Sequence, residues 1–122
     1  MARILLIEDN NDLRTMLRAV LTGAGHTVIE ARDGQEGLTL FWQAGADLVV
    51  TDIVMPEKEG LAVLLELRKA QPPVKVIAMS GEGNASDYLD MARLMGAAKV
   101  LPKPFRNVAL LAAIDELLPG DA

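Results

Sequence analysis

Residues 47–56 read Asp47-Leu48-Val49-Val50-Thr51-Asp52-Ile53-Val54-Met55-Pro56, an apolar run interrupted by a carboxylate. Leu48, Val49 and Val50 are bulky and mostly β-branched, and helix-like segments flank the run on both sides. This pattern is typical of a strand that is buried on both faces of a parallel sheet. Asp52 is then expected at the carboxyl end of that strand. Because ligands bind along this edge of open α/β sheets, Asp52 is a candidate reactive group.

The composition limits the kind of protein. The 122 residues are 51% hydrophobic, which predicts one domain over residues 1–122 with a single core. The net charge is −5, and the basic residues are scattered, so direct nucleic-acid binding is not expected. There is no cysteine and only one histidine, so a metal would need oxygen ligands. No apolar run approaches the roughly 20 residues of a membrane span and no signal peptide is visible, so we expect a cytoplasmic protein without membrane contact.

Strand and helix patterns alternate five times along the chain, which predicts a parallel sheet with helices on both faces. The predicted strands are residues 3–7, 27–31, the run that ends at Asp52, 74–79 and 97–101. Asn10 or Asn11 is expected to cap the first helix, and Asp33 or Gly34 is expected to open the second.

Polar residues follow four of these strands. They are Glu8 and Asp9 after the first strand, Asp52 at the end of the third, Ser80 at the end of the fourth and Lys103 after the fifth. All are expected at the same edge of the sheet, where three carboxylates raise one another's pKa unless a cation lies among them. Mg²⁺ suits such a site because it binds through carboxylates and completes its shell with water and phosphate oxygens. Together with a lysine and a hydroxyl, the site would suit phosphoryl transfer, with Asp52 attacking in line.

The polar residues lie within four short motifs, each weak alone but specific in their order and spacing. The motifs are Ile7-Glu8-Asp9-Asn10, Thr51-Asp52-Ile53-Val54-Met55-Pro56 with Gly60 beyond, Met79-Ser80-Gly81 and Leu101-Pro102-Lys103-Pro104-Phe105. Because of these motifs, the chain resembles the receiver domain of two-component response regulators in its single-domain, CheY-like form. The resemblance covers essentially the whole chain. The resemblance implies an α/β, flavodoxin-like (βα)5 fold, doubly wound, with a five-stranded parallel sheet in strand order 2-1-3-4-5.

The resemblance also implies roles for the acids. Asp52 would be the phosphoacceptor and would contribute to a Mg²⁺ site, in which Mn²⁺ can substitute. Asp9 would bind the metal directly, Glu8 would be a second acid that acts through water, and the backbone carbonyl of Val54 would be another ligand.

The resemblance also implies that residues at the ends of the fourth and fifth strands bind the phosphoryl group. Ser80 would be the switch hydroxyl, with Gly81 beside it, and Lys103 would pair with the phosphoryl group. The Lys103-Pro104 bond is expected to be cis, a geometry open almost only to proline. The family usually has an aromatic ring three residues before the lysine, and here that position is Val100. Because valine is stiff at χ1, it cannot swing in and out as an aromatic ring does.

The implied partners are a sensor histidine kinase or a phosphotransfer protein as donor, and a downstream protein that binds the face of the fourth helix, fifth strand and fifth helix. No effector domain is expected in this chain. Apart from slow loss of its own phosphoryl group, the protein is not expected to be a turnover enzyme.

Two alternatives stay open. The first is an adaptor with the same fold whose contacts do not depend on phosphorylation, a hypothesis that Val100 alone supports. The second is a Mg²⁺-dependent phosphatase of the haloacid dehalogenase kind. Those enzymes carry a D-x-D arrangement, in which a second Asp, two residues after the nucleophile, is the general acid. This chain has Val54 at that position, so turnover of external phosphate esters is not expected. Judged singly, Asp52 would also fit an ordinary turn residue or helix cap, and Lys103 would fit an ordinary exposed lysine.

Overall fold

A five-stranded parallel sheet lies at the centre of the structure, a computed structural model that describes residues 2–53, 59–71, 73–80 and 85–118. The strands are β1 (Arg3–Ile7), β2 (Thr27–Ala31), β3 (Leu48–Asp52), β4 (Lys75–Ser80) and β5 (Lys99–Pro102). Their order in the sheet is β2-β1-β3-β4-β5, and every neighbouring pair is parallel. The predicted fold class and strand order are therefore confirmed.

Five helices alternate with the strands and cover both faces of the sheet. They are α1 (Asn11–Gly23), α2 (Gly34–Ala44), α3 (Glu59–Leu67), α4 (Ala85–Leu94) and α5 (Asn107–Leu117). Buried side chains of α2, α3 and α4 form one core cluster with the sheet, and those of α1 and α5 form a second cluster on the opposite face. Among the described residues, no helix is long and apolar enough to cross a membrane.

The central strand shows why an apolar run is needed here. All five residues of β3 are buried, since the sheet is covered on both faces. Along β1, Leu5 and Ile7 pack into one core cluster, while Ile4 and Leu6 pack into the other, as expected when side chains alternate between the faces of a strand.

Side-chain caps set the starts of two helices. Asn10 accepts a hydrogen bond from the backbone N–H of Leu13 at 2.9 Å, and Asp33 accepts one from the N–H of Glu36 at 2.8 Å. Each cap satisfies a helix N–H group that has no partner within the helix. At the other end of α2, Gly45 has a φ of 72°, a conformation that side chains with a Cβ rarely adopt.

The predicted bounds of the fourth and fifth strands differ from the structure by one or two residues at each end. The fifth strand begins at Lys99 and not at residue 97, because the N–H of Ala97 donates to the carbonyl of Ala92 at 2.9 Å and so completes the end of α4. The fourth strand begins one residue later than predicted and includes Ser80, whose carbonyl accepts a hydrogen bond from the N–H of Lys103 at 2.6 Å.

The register of the sheet brings the carboxyl ends of four strands level with one another. Ile7 lies opposite Thr51, Asp52 lies opposite Met79, and Ser80 lies opposite Pro102. The polar residues that end or follow these strands therefore share one edge of the sheet.

Candidate functional site

Three acidic side chains meet at this edge. Glu8 and Asp9 follow β1, and Asp52 ends the adjacent strand β3. One carboxylate oxygen of each residue lies within 4.8 Å of the others. Glu8 and Asp52 are buried, whereas Asp9 is exposed. The structure thus brings together the three acids that the sequence placed at one edge.

Lys103 lies between the two buried carboxylates. Its Nζ atom donates hydrogen bonds to Oε1 of Glu8 at 2.9 Å and to Oδ2 of Asp52 at 2.8 Å. Only 21% of the lysine side chain is exposed. Charge-assisted hydrogen bonds of this kind are stronger than neutral ones. With Asp9 the cluster has three carboxylates and one ammonium, so it keeps a formal negative charge.

The environment shifts the pKa values of Glu8 and Lys103. Burial raises the pKa of Glu8, and the negative charge of Asp52 adds to the increase, whereas hydrogen bonds from Lys103 and from the N–H of Asn10 oppose it. The main cause for Glu8 is therefore loss of hydration and not the repulsion between acids that the sequence suggested. Burial lowers the pKa of Lys103, but its hydrogen bonds to Asp52 and Glu8 outweigh that effect and the pKa is raised overall.

The loop after β1 is held by several hydrogen bonds. The backbone N–H of Asn10 donates to Oε2 of Glu8 at 3.1 Å, while the Asn10 side chain caps α1. Nη1 of Arg14 donates to the backbone carbonyl of Glu8 at 2.8 Å. Sequence reasoning missed Arg14. Its only signal is its place one helical turn after Asn10, where an arginine is equally compatible with an exposed helix surface.

Ser80 is fully buried at the end of β4, and its Oγ atom has no hydrogen-bond partner in the described part of the chain. By contrast, the buried Oγ1 of Thr51 donates to the carbonyl of Asp52 at 3.0 Å. A buried hydroxyl without a partner costs about 1–3 kcal/mol of stability and is uncommon in folded proteins. A ligand oxygen at this edge would supply the missing partner.

The donor atoms fit a hard divalent cation. Mg²⁺ and Mn²⁺ prefer carboxylate, carbonyl and water oxygens, and carboxylate oxygens are what the cluster offers. Two residues predicted for the site, Val54 and Gly81, lie outside the described residues.

Two further predicted positions lie on or after β5. The Lys103-Pro104 peptide bond is cis in the structure. Val100 lies opposite Ala78 of β4 and packs, partly buried, against the core cluster formed with α2, α3 and α4. The position where the family has an aromatic ring therefore faces the same side of the sheet as α4.

Comparisons with known proteins agree with this architecture. The family model for the response regulator receiver domain matches residues 4–115. A receiver domain protein from Clostridium thermocellum superposes with a TM-score of 0.90 and 31% identity, over 98% of this chain and 95% of that one.

Two curated relatives carry a similar segment within longer chains. The transcriptional regulatory protein GlrR of Escherichia coli is 35% identical over 99% of this chain and 27% of its own length. The sensor kinase CckA of Brucella abortus is 39% identical over 96% of this chain and 12% of its own length. The chain thus spans only about a quarter or less of the length of these two relatives.

Proposed function

This chain belongs to the response regulator receiver domain family, whose general role is phosphoryl acceptance, and we propose that Asp52 is its phosphoacceptor. The observation that carries the proposal is the position of Asp52. It ends the central strand, it receives a hydrogen bond from Lys103, and its carboxylate oxygen lies within 4.8 Å of two other acids.

The proposed reaction forms a bond between a carboxylate oxygen of Asp52 and phosphorus. At the same time the bond between phosphorus and its donor atom breaks. The donor atom is a histidine nitrogen in a kinase or phosphotransfer protein and an acetate oxygen in acetyl phosphate. The product is an acyl phosphate on Asp52.

Glu8, Asp9 and Asp52 would hold Mg²⁺, and Mn²⁺ would serve in its place. When bound, the cation would neutralise negative charge on the phosphoryl oxygens. The backbone carbonyl of Val54 stays a predicted ligand.

Lys103 and Ser80 would contact the phosphoryl group once it is attached. The ammonium of Lys103 already lies 2.8 Å from Asp52, so a small movement would carry it from the carboxylate to a phosphoryl oxygen. The Oγ atom of Ser80 lacks a partner in the described residues and would donate to another oxygen. Because Val100 is stiff, the signal is proposed to pass through the segment after Ser80 and through α4, without rotation of an aromatic ring.

The donor is proposed to be a sensor histidine kinase or a phosphotransfer protein, a proposal supported by the similar segment within a relative named as a sensor kinase. The face formed by α4, β5 and α5 is proposed to bind a downstream protein when Asp52 is phosphorylated. Equal affinity of that partner for both states would instead support the phosphorylation-independent adaptor. The protein is proposed to act in the cytoplasm and to lose its phosphoryl group slowly by itself.

Labelling by acetyl phosphate tests the assignment. Wild-type protein with Mg²⁺ is expected to gain one phosphoryl group, measured by intact mass spectrometry, and Asp52→Asn is expected to gain none. Asp90→Asn is the matched control, because Asp90 is exposed and pairs with Arg93 on the surface of α4. Chelation of Mg²⁺ is expected to stop labelling of both wild type and control. Undiminished labelling of Asp52→Asn would rule the proposal out.

A further inference from the structure

Arg14, in the first turn of α1, joins three parts of the structure. Its Nη1 donates to the carbonyl of Glu8 at 2.8 Å, and its Nη2 donates to Oδ1 of Asn11 at 2.7 Å. Its Nε lies 3.4 Å from Oε1 of Glu30, which is on β2. Only 12% of the Arg14 side chain is exposed. Because the guanidinium group is planar and rigid, it holds these acceptors in a fixed relation to one another.

The hydrogen bond to the carbonyl of Glu8 also affects Asp9. That carbonyl and the N–H of Asp9 belong to the same planar peptide unit, so fixing the carbonyl fixes the plane from which Asp9 extends. The side chain of Asp9 is exposed and makes no hydrogen bond with another described residue. The backbone therefore sets the point from which this side chain extends, and with it the space that the carboxylate can reach.

We infer that Arg14 is a positioning residue for the cation site. It holds the Glu8–Asp9 peptide so that the carboxylate of Asp9 stays within reach of those of Glu8 and Asp52. Glu30, on β2, supports this role. Its carboxylate pairs with the guanidinium of Arg14 and so reduces the attraction of that guanidinium to the acidic cluster. The inference rests on the proposed function, since the ligand that it concerns is the divalent cation of that site.

Arg18 provides a matched comparison. Its Nε lies 3.3 Å from the other oxygen of the same Glu30 carboxylate, but 56% of its side chain is exposed. Among the described residues, the Arg18 side chain makes no hydrogen bond or ion pair with the loop of residues 8–11. Removing either arginine removes one positive charge from the same side of the molecule. Charge alone would make cation binding slightly tighter in both variants, whereas loss of positioning would make it weaker only when Arg14 is changed.

The experiment is a calorimetric titration of the full chain with Mg²⁺ alone at constant ionic strength. Arg14→Gln is expected to bind about tenfold more weakly than wild type, the lower end of the usual loss when a residue that orients metal ligands is changed. Arg18→Gln is expected to stay within about twofold of wild type or to bind slightly more tightly, because an exposed charge is screened by salt. Arg14→Lys keeps the charge but cannot span the same acceptors, so it is expected to recover only part of the affinity.

Labelling by acetyl phosphate gives a second measurement. If Arg14 acts by positioning, saturating Mg²⁺ is expected to restore most of the labelling rate of Arg14→Gln, so the defect appears in the Mg²⁺ concentration needed and not in the maximal rate. Circular dichroism checks that each variant is folded. Should Arg14→Gln not fold, the same comparison is made between Arg14→Lys and Arg18→Lys.

The outcomes separate this inference from the proposed function. Mg²⁺ binding by Arg14→Gln that is as tight as in wild type, or equal weakening in the Arg14 and Arg18 variants, would overturn the positioning role alone. A wild-type chain that neither binds Mg²⁺ nor accepts a phosphoryl group would overturn the proposed function itself.

Discussion

Nζ of Lys103 lies 2.9 Å from Oε1 of Glu8, although the two residues are 95 positions apart in the chain. The contact places a positive charge against a carboxylate that is 1% exposed. A buried charge that loses its partner is strongly destabilising, because the protein then provides neither water nor a counter-charge.

Lys103→Met is therefore expected to lower the free energy of unfolding of the metal-free protein by about 2–4 kcal/mol at neutral pH. Urea unfolding in the presence of a chelator measures this change. Lys69→Met is the control, because Lys69 pairs with Glu66 on the surface and such exposed pairs contribute at most about 1 kcal/mol. Equal effects of the two substitutions would contradict the structural role of Lys103.

The raised pKa of Glu8 predicts a pH dependence for the metal-free protein. A carboxyl group whose pKa is higher in the folded than in the unfolded state favours folding below its unfolded value, near pH 4.5. That contribution is lost as the pH rises through the raised pKa. The stability of wild type relative to Glu8→Gln is thus expected to fall as the pH increases from 4.5. Urea unfolding of both proteins across this range tests the sign, and a relative stability that rises with pH would mean that the pKa of Glu8 is lowered.

Gly37 of α2 lies directly against β1. A Cβ atom at this position would lie 2.4 Å from Cδ1 and 2.8 Å from Cγ1 of Ile7, which is fully buried. Gly37→Ala is therefore expected to cost about 1–3 kcal/mol, because the packed core must shift to admit the methyl group. Gly23→Ala, where nothing lies within 4 Å, is expected to leave stability unchanged or to raise it by up to about 1 kcal/mol. Thermal unfolding of both variants measures the difference, and a stabilised Gly37→Ala would mean that α2 is not packed so closely on β1.

The hydroxyls of Ser80 and Thr51 are both buried, but only that of Thr51 has a partner in the described structure. Ser80→Ala is expected to leave the stability of the unphosphorylated protein unchanged or to raise it by about 1 kcal/mol, because the buried hydroxyl that is removed has no partner among the described residues. Thr51→Val removes a hydroxyl that donates to the carbonyl of Asp52 and is expected to lower stability by about 1 kcal/mol. Urea unfolding of the two variants compares them directly. A loss in Ser80→Ala as large as that in Thr51→Val would indicate that Oγ of Ser80 is bonded in solution.

Local patterns in the sequence are enough to predict the class of fold and the residues that share an edge of the sheet. Hydrophobic periodicity is a local property, so it identifies strands and helices along the chain. The carboxyl ends of parallel strands meet at one edge, so the positions of Glu8, Asp52 and Lys103 in the chain predict that they are neighbours. The strand order 2-1-3-4-5 came from the resemblance to a family and not from periodicity.

How these neighbours interact is visible only in the three-dimensional structure. It showed that Lys103 pairs with both Glu8 and Asp52, that burial is the main cause of the raised pKa of Glu8, and that the hydroxyl of Ser80 lacks a partner among the described residues. It also revealed the contacts of Arg14. These properties depend on distances and hydration at atoms contributed by separate elements, which register, twist and packing set together and which no local pattern of residues encodes.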